Sequence, residues 1–166
     1  MNNKELQDDA VLIVPFHKEE EKIVVIRQFR VPINSYIYEM PAGLIDKGES
    51  PQTAITRELK EETGIDIEKE ELEPFMMIKH LSKNYFNKGK NRCNIILYYI
   101  CTTNKKPDLS KTNYTAYEEK GDFKLVYVPL EKAEETLIDQ ANKCPSFRPI
   151  AYEMLGVLTE YIKENL

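Results

Sequence analysis

Apolar residues in this chain fall into short runs whose spacing switches between that of strands and that of helices. Ala10–Phe16 (AVLIVPF) is a continuous apolar run, and Lys22–Phe29 (KIVVIRQF) is rich in β-branched side chains. Each predicts a buried strand, and the charged segment His17–Glu21 between them predicts a hairpin turn. Pro15 stands near the end of the first run, which suits an edge strand or a strand terminus. Glu71–Leu81 predicts a further strand with Met76 and Met77 as core fillers, Cys93–Thr102 a central one, and Phe123–Val128 the last. Between the middle two, Ser82–Arg92 is rich in turn formers and carries Lys83, Lys88, Lys90 and Arg92 around Gly89, as a solvated hairpin tip or as a flap over anionic substrate. Thr103–Ala116 has no periodicity and predicts a long loop, a type often functional in compact domains. A helix opens near Pro129. Another occupies Pro145–Leu166, where Ile150, Met154, Leu158 and Ile162 recur at i+4. His17 in the first turn and His80 at a strand end have no partner motif and are expected to be structural. The pattern is that of one α/β domain spanning residues 1–166, with residues 1–9 frayed.

The most informative helix lies between residues 50 and 64. Ser50 is a favourable N-cap, Pro51 falls at the first helical position, and Gly64 supplies a left-handed residue past the end. Glu58, Glu61 and Glu62 share an arc of about 100° on this helix and repel one another. Arg57 relieves part of that by reaching Glu61 at i+4, while Lys60 points elsewhere. Three glutamates can simply be a solvated acidic face, but they are also the hard oxygen donors that Mg2+ prefers.

The surrounding residues favour the second reading. Gly43, Glu49, Arg57, Glu58, Leu59, Glu61, Glu62, Gly64 and Ile65 stand in the spacing G-x5-E-x7-R-E-aliphatic-x-E-E-x-G-aliphatic. Seven fixed identities arise by chance roughly once in ten million start positions at ordinary residue frequencies. In this the chain resembles the Nudix hydrolases. The resemblance implies an α/β/α sandwich with a mixed β-sheet between helices, and water-driven cleavage of a diphosphate linked to a second moiety. Arg27-Gln28-Phe29-Arg30 followed by Glu39-Met40-Pro41-Ala42-Gly43 resembles the ADP-ribose pyrophosphatase branch. That likeness implies Arg30, Arg27 and Glu39 as substrate ligands. It implies a Mg2+ (or Mn2+) shell of Glu58, Glu61, Glu62 and the Ala42 carbonyl, supported by Glu49, with Arg57 orienting the carboxylates. The catalytic base would come from the acidic segment 117–122: Glu119 first, then Glu118, then Asp122, with Glu61 also a candidate. The expected reaction converts ADP-ribose to AMP and ribose 5-phosphate. Another sugar nucleotide, a nucleoside triphosphate, a dinucleotide, or binding without turnover remain as alternatives.

Composition adds limits. A net charge of −5 argues against nucleic acid as a partner. The longest apolar run, Ile95–Cys101, is too short to span a membrane, and the polar N-terminus does not have the form of a secretory signal. Cys93, Cys101 and Cys144 have no metal-binding spacing and fit reduced thiols in the cytoplasm. The branch resemblance implies a homodimer.

Overall fold

The computed structural model describes residues 9–83, 89 and 91–165. Among the described residues, seven strands form one mixed sheet: β1 Ala10–His17, β2 Lys22–Arg30, β3 Ser35–Glu39, β4 Ala42–Leu44, β5 Glu73–Ser82, β6 Arg92–Thr103 and β7 Lys124–Pro129. The strand order is β3-β2-β1-β6-β5, with β4 added to β1 and β7 to β2. β1 and β6 run parallel, and every other pairing is antiparallel. Helix α1 (Pro51–Thr63) covers one face, packing Ala54, Ile55 and Leu59 against Val11, Ile13 and Val24. Helices α3 (Leu130–Lys143) and α4 (Arg148–Asn165) cover the other, packing Leu137, Met154 and Leu158 against Val14, Val25 and Ile37. The expected α/β/α sandwich is therefore the observed architecture. A five-residue helix, α2 (Ala116–Lys120), precedes β7.

Helix α1 begins and ends where its caps dictate. Ser50 Oγ accepts the Thr53 N–H at 3.1 Å, and Gly64 adopts φ +71° with its N–H on the Lys60 carbonyl. The segment after β6 then completes the C-terminal end. Asp108 N–H donates to Thr63 O at 3.0 Å and Asn113 N–H to Glu61 O at 2.8 Å, satisfying carbonyls that a helix end leaves open. A Cβ at residue 64 would stand 2.0 Å from Asp108 O, so this approach requires glycine as much as the positive φ does.

Several sequence expectations change. β1 is interior, not an edge, despite Pro15. Its whole length pairs with β6, while its other side pairs with β4 over Ala10–Leu12 and with β2 only at Phe16 and His17. Ile13 N–H reaches Pro41 O on that second side, so the nitrogen of Pro15, two residues on, faces the gap between the two partners, where no N–H is needed. The hairpin β1–β2 forms as expected, but His17 ends a strand and is buried rather than lying in the turn. Met76 packs on the core, whereas Met77, its neighbour on the opposite face of β5, is 55% exposed. β3 and β4 were not expected as strands. β3 is held from beneath by Gln140 of α3, whose buried amide donates to Tyr38 O at 2.8 Å and accepts the Tyr38 N–H. Of the basic tip Ser82–Arg92, residues 84–88 and 90 lie outside the described residues, as do 1–8 of the segment expected to be frayed.

Candidate active site

A cleft of about 210 Å³ opens where α1, the C-terminal end of β2, the β3–β4 connection, α2 and α4 meet. Its polar wall is formed by Gln28, Arg30, Glu39, Glu62, Thr115 and Glu118, and Leu12, Ile26, Met40, Phe123, Ile150 and Met154 supply apolar surface.

Arg57 is the hub of the acidic side. Its guanidinium grips Glu49 with two bonds (Nε–Oε1 3.1 Å, Nη2–Oε2 3.0 Å), holds Glu58 Oε1 at 2.6 Å and Glu61 Oε2 at 3.3 Å, and donates to Leu44 O at 3.3 Å. A planar fork is suited to this, since it orders several carboxylates at once. Lys60 is paired with Asp66 instead, at 2.7 Å. Glu58 comes so close to β4 that a Cβ on residue 43 would lie 1.9 Å from its Cδ. The glycine of the motif is thus a space left for this carboxylate.

Glu62 is 8% exposed, and its Oε2 accepts the Ala42 N–H at 3.0 Å. Burial holds its pKa well above the ordinary carboxylate range; the Ala42 bond opposes this, and Glu58, Glu118 and Glu39 add to it. Glu58 is also raised, by burial first, and the adjacent Arg57 offsets only part. Glu39 is raised by burial in spite of its pairing with Arg30, at 2.7 Å and 3.1 Å.

These donors fit a divalent cation by their chemistry. They are hard oxygens, crowded and partly buried, with a charge that lacks a full counter-charge. Among the described residues, no three Asp, Glu, His or Cys side chains converge as a ready-made cage. Like charges spread apart when alone, and Arg57 draws Glu58 aside. The arrangement matches the mode in which Mg2+ takes one or two carboxylates and completes its shell with water and substrate phosphates.

The expected residues divide as follows. Glu58, Glu61, Glu62, Glu49, Arg57 and Ala42 gather around α1; of these Glu62 and Ala42 line the cleft, with Arg30 and Glu39, while Glu49, Arg57, Glu58 and Glu61 lie outside that lining. Arg27 does not line the cleft. It lies over the Tyr36 ring, 3.6 Å from the centroid, with Asp122 3.9 Å away. Glu118 lines the cleft and Glu119, the first choice for the base, is exposed and outside that lining. Both stand on the short helix α2, which the sequence did not predict. Gln28 and Thr115 were not singled out from the sequence. Gln28 shares the face of Arg30 by the two-residue period of β2, a signal that was available.

A sequence profile of the NUDIX domain matches residues 6–146. The chain belongs to the Nudix family. A mouse protein named ADP-sugar pyrophosphatase is 45% identical over 69 residues, covering 40% of this chain and 32% of the relative. The ADP-ribose pyrophosphatase of Bacillus subtilis (strain 168) is 47% identical over 60 residues, 36% of this chain and 31% of that protein. These alignments thus span less than a third of either relative. Among solved structures, that of an ADP compounds hydrolase superposes with a TM-score of 0.67 over 93% of this chain and 72% of the other, at 23% identity, a likeness of fold. No helix among the described residues is long and apolar enough to cross a membrane.

Proposed function

We propose that this Nudix protein hydrolyses the diphosphate of a nucleoside diphosphate joined to a sugar, with ADP-ribose as substrate and AMP and ribose 5-phosphate as products. The observation that carries this reading is the cleft itself, which buried Glu62 lines together with the Arg30–Glu39 pair. One wall suits a cation and the other suits an anionic, hydroxyl-rich ligand. The names of the mouse and Bacillus relatives point to the same substrate class.

Glu58, Glu62 and the Ala42 carbonyl would hold Mg2+ or Mn2+, with Glu61 at the solvent side. Bound there, the ion neutralises diphosphate charge and makes a water molecule more acidic. Arg57, fastened by Glu49, keeps Glu58 and Glu61 in place. Arg30 turns from Glu39 toward a phosphate or ribose oxygen, the pairing that guanidinium geometry favours. Glu118 accepts the proton of the attacking water. One of its oxygens takes the Thr115 N–H at 2.6 Å, leaving the other for this purpose. The free thiols Cys93, Cys101 and Cys144 fit a cytoplasmic protein, and the exposed Met77 and Leu81 on edge strand β5 are the surface we assign to a homodimer.

The test is a panel of ADP-ribose, other sugar nucleotides, dinucleotides and nucleoside triphosphates with Mg2+ or Mn2+, products separated by chromatography. AMP and ribose 5-phosphate from ADP-ribose are expected. Turnover confined to nucleoside triphosphates would overturn the substrate class, and tight binding with no product at micromolar enzyme would make the protein a sensor.

A further inference from the structure

Helix α2 carries Glu118 into the cleft, yet its five residues are far too few to hold a helix by themselves. Its place must come from its ends. At the first end, Thr115 and Glu118 cap one another: Thr115 N–H donates to Glu118 Oε2 at 2.6 Å and Glu118 N–H to Thr115 Oγ1 at 3.4 Å. The second end is fastened to the sheet. Phe29 N–H donates to Gly121 O at 2.7 Å, and Gly121 lies so close to Gln28 that a Cβ there would meet its side chain at 2.9 Å. Asp122 follows with φ +47°, a left-handed conformation that Asp tolerates better than most residues. Its carboxylate accepts the Tyr36 hydroxyl at 2.9 Å, and Lys124 stands at 3.2 Å and Arg27 at 3.9 Å. The Tyr36 ring lies between Arg27 over its face and the Phe29 ring, whose centroid is 5.2 Å away in an edge-to-face arrangement.

Resting on the reading of Glu118 as proton acceptor, we propose that Asp122, clamped by Tyr36 and Arg27, is a positioning residue that aims Glu118 at the reacting water. Arg27 thereby serves the reaction from outside the cleft, as part of the clamp and not as a substrate ligand. Lys124 pairs with the same carboxylate from β7, so the clamp joins β2, β3 and β7 to the end of α2.

The test combines ADP-ribose hydrolysis in saturating Mg2+ with amide exchange of the substrate-free protein. Asp122→Ala is expected to lower kcat about tenfold with KM within about twofold, and Tyr36→Phe to act in the same direction more weakly. Asp122→Asn keeps an acceptor for Tyr36 and tolerates a left-handed φ, so it recovers most of the loss. In the Glu118→Gln background, Asp122→Ala should cause no further loss, the non-additivity expected of residues that act as a unit. Exchange should speed up at amides 115–121 and stay unchanged in α1. Additive losses in the double variant, unaltered exchange at 115–121, or a raised KM with unchanged kcat would overturn the clamp. Wild-type turnover by Glu118→Gln alone is a separate failure, that of Glu118 as proton acceptor, and removes this inference with it.

Discussion

Replacing Glu62 by glutamine separates two roles that point in opposite directions. Glutamine has nearly the same shape and retains an oxygen for the Ala42 N–H, which Glu62 accepts at 3.0 Å. What it loses is a charge that is 8% exposed, faces Glu58 and Glu118, and has no cationic side chain bonded to it among the described residues. Leaving a buried group of this kind incompletely compensated costs about 1–3 kcal/mol. The metal-free variant should therefore be more stable by about 1–2 kcal/mol, which for a chain of this length raises Tm by roughly 2–8 °C. The pH dependence has a definite sign. Glu62 has a raised pKa in the folded protein, so the native state binds the proton more tightly and stability falls as pH rises from the unfolded toward the folded value. The advantage of the variant should be smaller at about pH 4.5, where the folded wild-type carboxyl already holds its proton, than at about pH 7.5. Catalysis should move the other way, by about a hundredfold in kcat, or about 2.7 kcal/mol of transition-state stabilisation. Thermal melts in EDTA at the two pH values, melts with added Mg2+, and initial rates with ADP-ribose measure all three effects. Added Mg2+ should raise the Tm of the wild type more than that of the variant. A variant that melts lower than wild type and turns over normally would show that Glu62 merely anchors Ala42, and the site reading would fall.

Other substitutions test other parts of the site. Gly43→Ala places a methyl 1.9 Å from the present position of Glu58 Cδ; the carboxylate must swing away, and activity should drop at least about tenfold with a native circular dichroism spectrum. Arg30→Ala should raise KM more than it lowers kcat, measured by initial rates, because its partner is a part of substrate bound throughout the reaction. Glu118→Gln should lower kcat about a hundredfold, and exposed Glu119→Gln should leave it within about twofold; the reverse result in the same rate assay would return the base to Glu119. Gly64→Ala meets Asp108 O at 2.0 Å and a φ of +71°, so it should cost about 2 kcal/mol or more, read as a fall in the urea midpoint.

What the chain declares by itself is local. The bounds of α1 follow from Ser50, Pro51 and Gly64, and the glutamate face from a period of 3.6 residues, because capping and helical geometry involve neighbours within a few positions. The signature spacing led to the family for the same reason: Gly43, Arg57 and the glutamates act within one short strand, the loop after it and one helix. Strands β1, β2, β5, β6 and β7 were also legible, since runs of buried β-branched and aromatic side chains are a local signal. β3 and β4 were not, because they are short and depend on partners remote in the chain, Gln140 for Tyr38 and β1 for Ala42. Arg27 and Arg30 look alike in sequence, yet the cleft takes only Arg30, and Arg27 goes to Tyr36 and Asp122. Glu118 and Glu119 are likewise indistinguishable until α2 forms. On a helix adjacent residues differ by about 100° in direction, so a choice between neighbours is a choice of face. Which face meets the cleft is decided by Phe29, Tyr36 and Thr115 fastening the two ends of that helix, contacts that exist only once the sheet has assembled.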